Sequence, residues 1–147
     1  MKPTAAQVET KRAAGGISAF QIAIPHRTSE LTRNAFLRAA ELARDLEAHV
    51  RLIDIQVVPY GLPLDAPAVD PNHSIRTIRL LAKESCVPIS AEIVYARDWE
   101  QGLRRSLAPG SIVLLTIKRR WWRIEFSAMR MAARLRKAGH QIVWIKL

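Results

Sequence analysis

The order of apolar segments along the chain restricts its fold more than any other sequence feature. Five short runs rich in isoleucine, leucine and valine recur, and such runs are typical of strands buried in a sheet. The segments between them place apolar residues at spacings of three and four, which is the pattern of helices with one buried face. The five runs lie at residues 19–25, 50–58, 89–95, 111–117 and 141–147.

Strand-type and helix-type segments therefore alternate along the chain. Parallel strands joined by helices require right-handed crossovers, which place helices on both faces of one sheet. We expect residues 17–147 to form one α/β domain, a doubly wound, Rossmann-like sheet of five parallel strands. Residues 1–16 contain no apolar segment of the kind found in secretory signals, and we expect a short flexible tail ending in Gly15-Gly16.

Capping and turn residues set the expected helix boundaries. Ser29 is expected to cap the first helix. Four prolines between residues 59 and 73 exclude regular structure there, so a long loop is predicted, with Ser74 capping the next helix. Asp98 followed three residues later by Gln101 resembles a capping box and predicts the start of the third helix.

Apolar periodicity predicts which faces of the first and last helices are buried. The first stripe comprises Leu31, Ala35, Ala39, Leu42 and Leu46. The last stripe comprises Trp122, Phe126, Met129 and Ala133, and Gly139 is expected to end that helix.

The residues that several functional classes require are absent from this sequence. Cys86 is the only cysteine, which excludes an internal disulfide and a zinc site built from cysteines. The four histidines are scattered, and no paired carboxylates or glycine-rich phosphate loop occurs. No apolar run approaches the roughly 18 residues of a membrane span. We therefore expect a cytoplasmic protein that is not an enzyme and carries no metal or cofactor.

The charge of the chain favours anionic partners. Lysine and arginine total 23 against 13 acidic residues, so the formal net charge is +10. A large part of this excess lies between residues 117 and 137, where Glu125 is the single acidic residue. Such a surplus suits nucleic acid, phosphorylated small molecules or an anionic membrane face.

Several segments together resemble the universal stress protein family. They are IAIPHRTSELTRNAFLRAAELARDLEAHVRLIDI, YARDWEQGL, PGSIVLLTIKR and ARLRKAGHQIVWIKL, and the resemblance covers residues 20–147. It implies a sheet of strand order 3-2-1-4-5, a homodimer formed through the last strand and, in many members, ATP at the switch point. Physical reasoning also places a ligand beyond the carboxyl ends of the first and fourth strands.

The nucleotide-binding motif of that family is absent. Members that bind ATP carry Gly-x2-Gly-x9-Gly-Ser/Thr after the fourth strand, where glycines let backbone amides approach the phosphates. An ungapped alignment puts Leu115 and Lys118 at the first two glycines, and Ala128 and Met129 at the last two positions. We expect a non-enzymatic stress-protein-like regulatory module that has lost the ATP-binding motif.

A second change after the first strand suggests an alternative function. Those members have Asp-Gly there, whereas this chain has Arg27-Thr28 before the retained Ser29-Glu30. In the predicted fold this segment and the loop after the fourth strand share one rim. The alternative is a basic anion-binding module that contacts nucleic acid, a phosphorylated ligand, a membrane transporter or an anionic membrane surface. A solvated basic loop kept for solubility is equally consistent with these residues. The candidate anion rim comprises Arg27, Thr28, Ser29, Lys118, Arg119, Arg120 and Arg123.

The last run suggests how the chain associates. Ile142, Val143, Trp144 and Ile145 are four consecutive apolar residues on a strand expected at the sheet edge. An uncovered apolar edge strand tends to pair with another chain. We therefore predict a homodimer with these residues at its interface.

Overall fold

The computed structural model describes residues 6–8, 20–26, 29–65, 70–84, 89–117 and 126–146. Within these ranges, strands and helices alternate after a short first strand. They are β1 (Ala6–Val8), β2 (Gln21–Pro25), α1 (Ser29–Leu46), β3 (His49–Val57), α2 (Pro71–Lys83), β4 (Ile89–Ala96), α3 (Trp99–Ser106), β5 (Ile112–Ile117), α4 (Phe126–Lys137) and β6 (Gln141–Lys146).

One sheet contains the strands in the order β1-β4-β3-β2-β5-β6. The strands β2 to β6 are parallel to one another. Numbered among themselves, these five strands have the order 3-2-1-4-5. The predicted doubly wound α/β fold is thereby confirmed.

The first strand was not predicted. Ala6, Gln7 and Val8 pair antiparallel with Ile93, Glu92 and Ala91 of β4 and cover that edge of the sheet. These residues lie within the predicted flexible tail, and at 6–8 the structure differs from that expectation. Three residues are too few to show the alternation that identifies a strand in a sequence.

The helices divide the core into two layers. On one face of the sheet, α1 and α2 cover a cluster that includes Ile24, Leu52 and Ile93, which we call the α1/α2 core. On the other face, α3 and α4 cover a cluster that includes Ile53 and Val113, the α3/α4 core. Leu52 and Ile53 are both fully buried, as expected for an interior parallel strand with helices on both faces.

The second helix begins earlier than predicted. Its N-cap is Asp70, whose side chain accepts a hydrogen bond from the Asn72 backbone N–H at 2.9 Å, and Pro71 follows in the first turn. Proline suits this position because its missing N–H has no intrahelical partner there. Ser74, the predicted cap, lies inside the helix, so the prolines were read too strictly as loop residues.

The buried face of α1 largely matches the predicted stripe, since Leu42 also packs against the α1/α2 core, whereas the buried face of α4 differs from its predicted stripe. In α1, Ala35 and Ala39 are buried as predicted, but Leu46 is 39% exposed. In α4, Met129 is 48% exposed and Ala133 is exposed. Among the described side chains, the buried residues are Thr32, Ala35, Phe36, Ala39 and Ala43 in α1, and Met131, Ala132 and Leu135 in α4. The side chains of the predicted stripe residues Leu31, Trp122 and Phe126 lie outside the described part.

The predicted start of α3 and the predicted end of α4 are confirmed. The Asp98 side chain accepts a hydrogen bond from the Gln101 backbone N–H at 2.9 Å. At the end of α4, Gly139 has a φ of +94°, a conformation that glycine adopts without strain. The N–H groups of Gly139 and His140 donate to the carbonyl oxygens of Arg136 and Leu135, both at 3.0 Å, which is a Schellman cap.

Gly102 lets α3 lie directly on the sheet. A Cβ at this position would be 2.8 Å from Ile55 Cγ2 and 2.9 Å from Ala96 Cβ. Both neighbours are buried side chains on β3 and at the end of β4. The helix can therefore approach this closely only because residue 102 has no side chain.

We predict that Gly102→Ala destabilises the protein. Overpacking costs about 1–3 kcal/mol, while alanine regains up to about 1 kcal/mol of helix propensity. The expected net loss is about 1–2 kcal/mol in the free energy of unfolding, measured by urea denaturation. Gln101→Ala, at an exposed position of the same helix, is the control and should change stability by less than about 0.5 kcal/mol. An unchanged or raised stability of Gly102→Ala would contradict this account of α3 packing.

Candidate functional site

Polar side chains gather where β2, β3 and β4 approach their carboxyl ends. This is the end of a parallel sheet at which ligands bind in folds of this class. The side chains come from three strands and from the first turns of two helices. We call this group the polar cluster: His26, Thr32, Asp54, Gln56, Ser74 and Tyr95.

The strand pattern places this cluster on the α1/α2 face. Asp54 and Gln56 alternate along β3 with residues that face the other core, and Gln56 is level with Tyr95 on β4. His26 directly follows β2, and its backbone N–H donates to the Ile53 carbonyl at 2.7 Å. Asp54 is only 7% exposed, which is unusual for a carboxylate.

Hydrogen bonds connect the cluster to both helices. His26 Nδ1 and Thr32 Oγ1 are 2.8 Å apart, which joins the end of β2 to α1. Gln56 Nε2 donates to Ser74 Oγ at 2.8 Å and to Asp54 Oδ2 at 3.3 Å, which joins β3 to α2. The other amide atom, Gln56 Oε1, is buried and accepts no hydrogen bond from the described part of the chain.

Asp54 is the electrostatic centre of the cluster. Burial lowers the pKa of His26, while the Asp54 carboxylate acts in the opposite direction and raises it. Burial also raises the pKa of the Tyr95 phenol, and the charge of Asp54 raises it further. The carboxylate therefore disfavours a second negative charge close to it.

The chemistry of the cluster suits hydrogen-bond donors rather than anions. The Asp54 carboxylate and Gln56 Oε1 are acceptors, so a hydroxyl, amino group or water would satisfy them. Thr32, His26 and Asp54 are residue types used in nucleophilic catalysis, but Thr32 is 1% exposed. The contact of this buried hydroxyl with His26 links α1 to the end of β2.

Sequence reasoning missed this cluster. Its signal is the polar pair Asp54 and Gln56 within the otherwise apolar segment 52–58, because a buried strand rarely contains a carboxylate. That signal does not identify the partners. His26, Ser74 and Tyr95 come close to β3 only through the fold.

The end of β5 differs from a glycine-rich phosphate loop. Leu115, aligned with the first motif glycine, is 7% exposed and packs in the α3/α4 core. The strand continues beyond it, and Thr116 and Ile117 are level with Ile145 and Lys146 of β6. A strand amide in this position is already part of the sheet. Ala128 and Met129, aligned with the last motif positions, lie in α4.

Most of the candidate anion rim lies outside the described residues. Ser29 is the first residue of α1, but its side chain is also outside the described part. The structure therefore does not test the rim, which stays a prediction. The rim residues outside the described ranges are Arg27, Thr28, Lys118, Arg119, Arg120 and Arg123.

The four predicted interface residues lie on an edge strand, but they pack against their own subunit. Ile145 belongs to the α1/α2 core and Val143 packs against it. Ile142 and Trp144 pack against the α3/α4 core. Among the described residues, β6 pairs only with β5, so the unpaired feature of this edge is its backbone rather than these side chains.

No group of three or more His, Cys, Asp or Glu side chains in the described ranges could hold a metal ion. None of the helices in those ranges is long and apolar enough to cross a membrane. Cys86 lies outside the described residues.

Comparison with known proteins supports the fold. No protein-family model matches the chain, and no curated protein matches it. Among solved structures, it is similar to a protein from the universal stress protein family of Burkholderia pseudomallei, with a TM-score of 0.53 and 20% sequence identity. The match covers 89% of this chain and 98% of that one. At this identity, the similarity shows a shared fold.

We predict that protonation of His26 destabilises the folded protein in mild acid. Its folded pKa lies below the ordinary value of 6.5, which the unfolded chain regains. As the pH falls below 6.5, the unfolded chain binds a proton that the folded protein does not, so stability decreases until the folded pKa is passed. The slope from one such group is at most about 1.4 kcal/mol per pH unit.

The measurement is the free energy of unfolding between pH 7.5 and about 5, compared with His26→Gln. This variant should lose less stability on acidification than the wild type, even if its stability at pH 7.5 differs. His49 and His140, whose pKa values burial also lowers, will leave part of the slope in place. His73→Gln, on an exposed position of α2, is the control. Parallel pH profiles for the wild type and His26→Gln would exclude the proposed role of His26.

Proposed function

We propose that this chain is a non-enzymatic, cytoplasmic regulatory module of the universal stress protein type that does not use ATP as its ligand. The proposal rests on the observation that strand β5 continues past Leu115. Where the resemblance aligns the first phosphate-loop glycine, Leu115 fills the α3/α4 core and its strand continues paired with β6. Backbone amides engaged in a sheet cannot also form a cradle around phosphates.

The polar cluster supports the same conclusion. The buried Asp54 carboxylate, close to the switch point, disfavours a second negative charge there. A phosphate chain would approach this carboxylate without a glycine-rich loop to compensate. The burial of Thr32 supports the non-enzymatic part of the proposal, because it closes the most reactive arrangement of side chains in the cluster.

We propose further that the protein forms a homodimer through the backbone of β6. The Gln141 N–H donates to the Ser111 carbonyl at 3.0 Å and therefore points toward β5. Because N–H direction alternates along a strand, the N–H groups of Ile142, Trp144 and Lys146 point away from the sheet. These donors form an open edge on which a second copy of β6 can add.

The alternative function is anion binding at the candidate rim. The formal net charge of +10 supports it, because anionic partners relieve self-repulsion of a basic surface. Nucleic acid, a phosphorylated ligand, an anionic membrane surface or a membrane transporter could supply that partner. Side-chain positions at Lys118, Arg119, Arg120 and Arg123 would decide between this function and a solvated basic loop.

We predict that magnesium-ATP does not bind with useful affinity. Isothermal titration calorimetry should give no saturable heat in the low-micromolar range, because the glycine motif that positions phosphates is absent from the sequence. A stress protein that retains the Gly-x2-Gly-x9-Gly-Ser/Thr motif is the positive control. Saturable low-micromolar binding to this chain would overturn the proposal that it has lost ATP as a ligand.

We predict that Lys146→Pro weakens the dimer without unfolding the subunit. Proline removes an outward N–H, and the exposed Lys146 side chain takes no part in either core. Sedimentation should show a dimer for the wild type and a shift toward monomer for this variant. Lys146→Ala, which keeps the N–H, is the control and should remain dimeric. A wild type that is monomeric at high concentration, or a proline variant that dimerises normally, would contradict pairing through β6.

A further inference from the structure

A groove lies between the end of α3 and the turn that joins α4 to β6. It has a volume of about 360 Å³, and its lining is polar and basic. The lining residues, which we call the α3–α4 groove, are Gln101, Arg104, Arg105, Ala138 and His140.

This groove is at the opposite end of the sheet from the polar cluster. The helix α3 starts just after the carboxyl end of β4 and reaches its last turn at Arg104 and Arg105. His140 directly precedes the amino end of β6, where Gln141 bonds to Ser111. A ligand here would be separate from one at the switch point between β2 and β5.

Two arginines in the groove have no carboxylate partner in the described part of the chain. Arg104 and Arg105 are both exposed, and neither forms an ion pair there. The nearest acidic residue on the same helix, Glu100, already pairs with Arg134 through two contacts of 2.9 Å. The charges of Arg104 and Arg105 are therefore available to a ligand.

His140 contributes an imidazole ring to the lining of the groove. Its Nδ1 atom is buried and has no hydrogen-bond partner among the described residues. A buried polar atom without a partner loses the hydrogen bond that water would have given it in the unfolded chain. The buried Nδ1 atom is not accessible from the groove, so His140 contributes to the site as part of its polar lining.

The C-terminal ends of α3 and α4 lie beside the groove, and they repel an anion less strongly than helix ends with free carbonyl groups would. Exposed carbonyl groups give a helix C-terminus partial negative charge. Here Arg51 donates to the Ser106 carbonyl at the end of α3, and the Schellman cap occupies the Leu135 and Arg136 carbonyls at the end of α4. Both ends are thus partly neutralised by donors of this chain.

We propose that the α3–α4 groove binds the phosphate group of a small phosphorylated metabolite. The guanidinium groups of Arg104 and Arg105 pair with the phosphate oxygens, because a planar guanidinium can donate two parallel hydrogen bonds to two oxygens of one phosphate. Gln101 and His140 offer hydrogen bonds to the remainder of the ligand. This site goes beyond the proposed regulatory function, because it depends neither on the absence of ATP binding nor on the dimer.

Size and lining favour a small ligand over single-stranded nucleic acid. The volume falls near the lower end of the range for small-molecule pockets, which runs from about 300 to 1,000 Å³. Single-stranded nucleic acid is typically held by stacking its bases on aromatic rings. None of the lining residues is Phe, Tyr or Trp.

Calorimetry with the full chain tests this site. Inorganic phosphate, pyrophosphate and ribose 5-phosphate are titrated at low and moderate salt. Saturable binding that weakens with salt is expected for the wild type. Arg104→Gln/Arg105→Gln should reduce the affinity by about tenfold or more, since it removes both charge-assisted contacts. Arg76→Gln/Arg79→Gln on the exposed face of α2 removes the same charge and should change it by less than about twofold.

Histidine ring signals in NMR spectra provide a second readout. The probes should shift the His140 signals in the wild type and leave those of the exposed His73 unchanged. An equal loss of affinity in both double variants would overturn the proposal in favour of general charge attraction. The proposal also fails if no small phosphate binds, or if only a single-stranded oligonucleotide binds and Arg104→Gln/Arg105→Gln abolishes that binding.

Discussion

Pairing of β2 with both β3 and β5 is the constraint on which the remaining structure depends. Ile22, Ala23 and Ile24 are fully buried, because β2 has a strand on each side and a helix layer on each face. Ile22 and Ile24 face the α1/α2 core, while Ala23 faces the α3/α4 core. A shift of one residue in its register would exchange these faces and disrupt both cores at once.

The two ends of the sheet offer different chemistry to a ligand. At the carboxyl end, the polar cluster contains a buried carboxylate and the orphan acceptor Gln56 Oε1, which suit donors. At the amino end, Arg104 and Arg105 offer cations without carboxylate partners in the described ranges. Among the described residues, the carboxyl end, where folds of this class usually bind ligands, thus presents buried acceptors, and the unpaired Arg104 and Arg105 lie at the other end of the sheet.

An apolar run on an edge strand can either fill the cores of its own subunit or form an interface with another chain, and in β6 it fills the cores. Its side chains alternate between the two cores of the same subunit, as Val143 and Trp144 illustrate. The apolar run is therefore explained within one chain, and it does not by itself require a partner. What remains open for association is a row of backbone donors and acceptors, which any sequence on an edge would present.

The sequence by itself determined the fold class, the five parallel strands and the caps at Asp98 and Gly139, because each depends on local periodicity or on one residue's backbone preference. It could not determine β1, whose three residues form a strand only because the edge of β4 is there to pair with. The polar cluster likewise needed the tertiary structure. His26, Asp54 and Tyr95 lie on or directly after three different strands, and the pKa shifts of His26 and Tyr95 arise from burial and from proximity to Asp54 that no spacing along the chain encodes. Packing also decided which face of α4 was buried, since Met131, Ala132 and Leu135 contact the sheet there and the predicted Met129 does not.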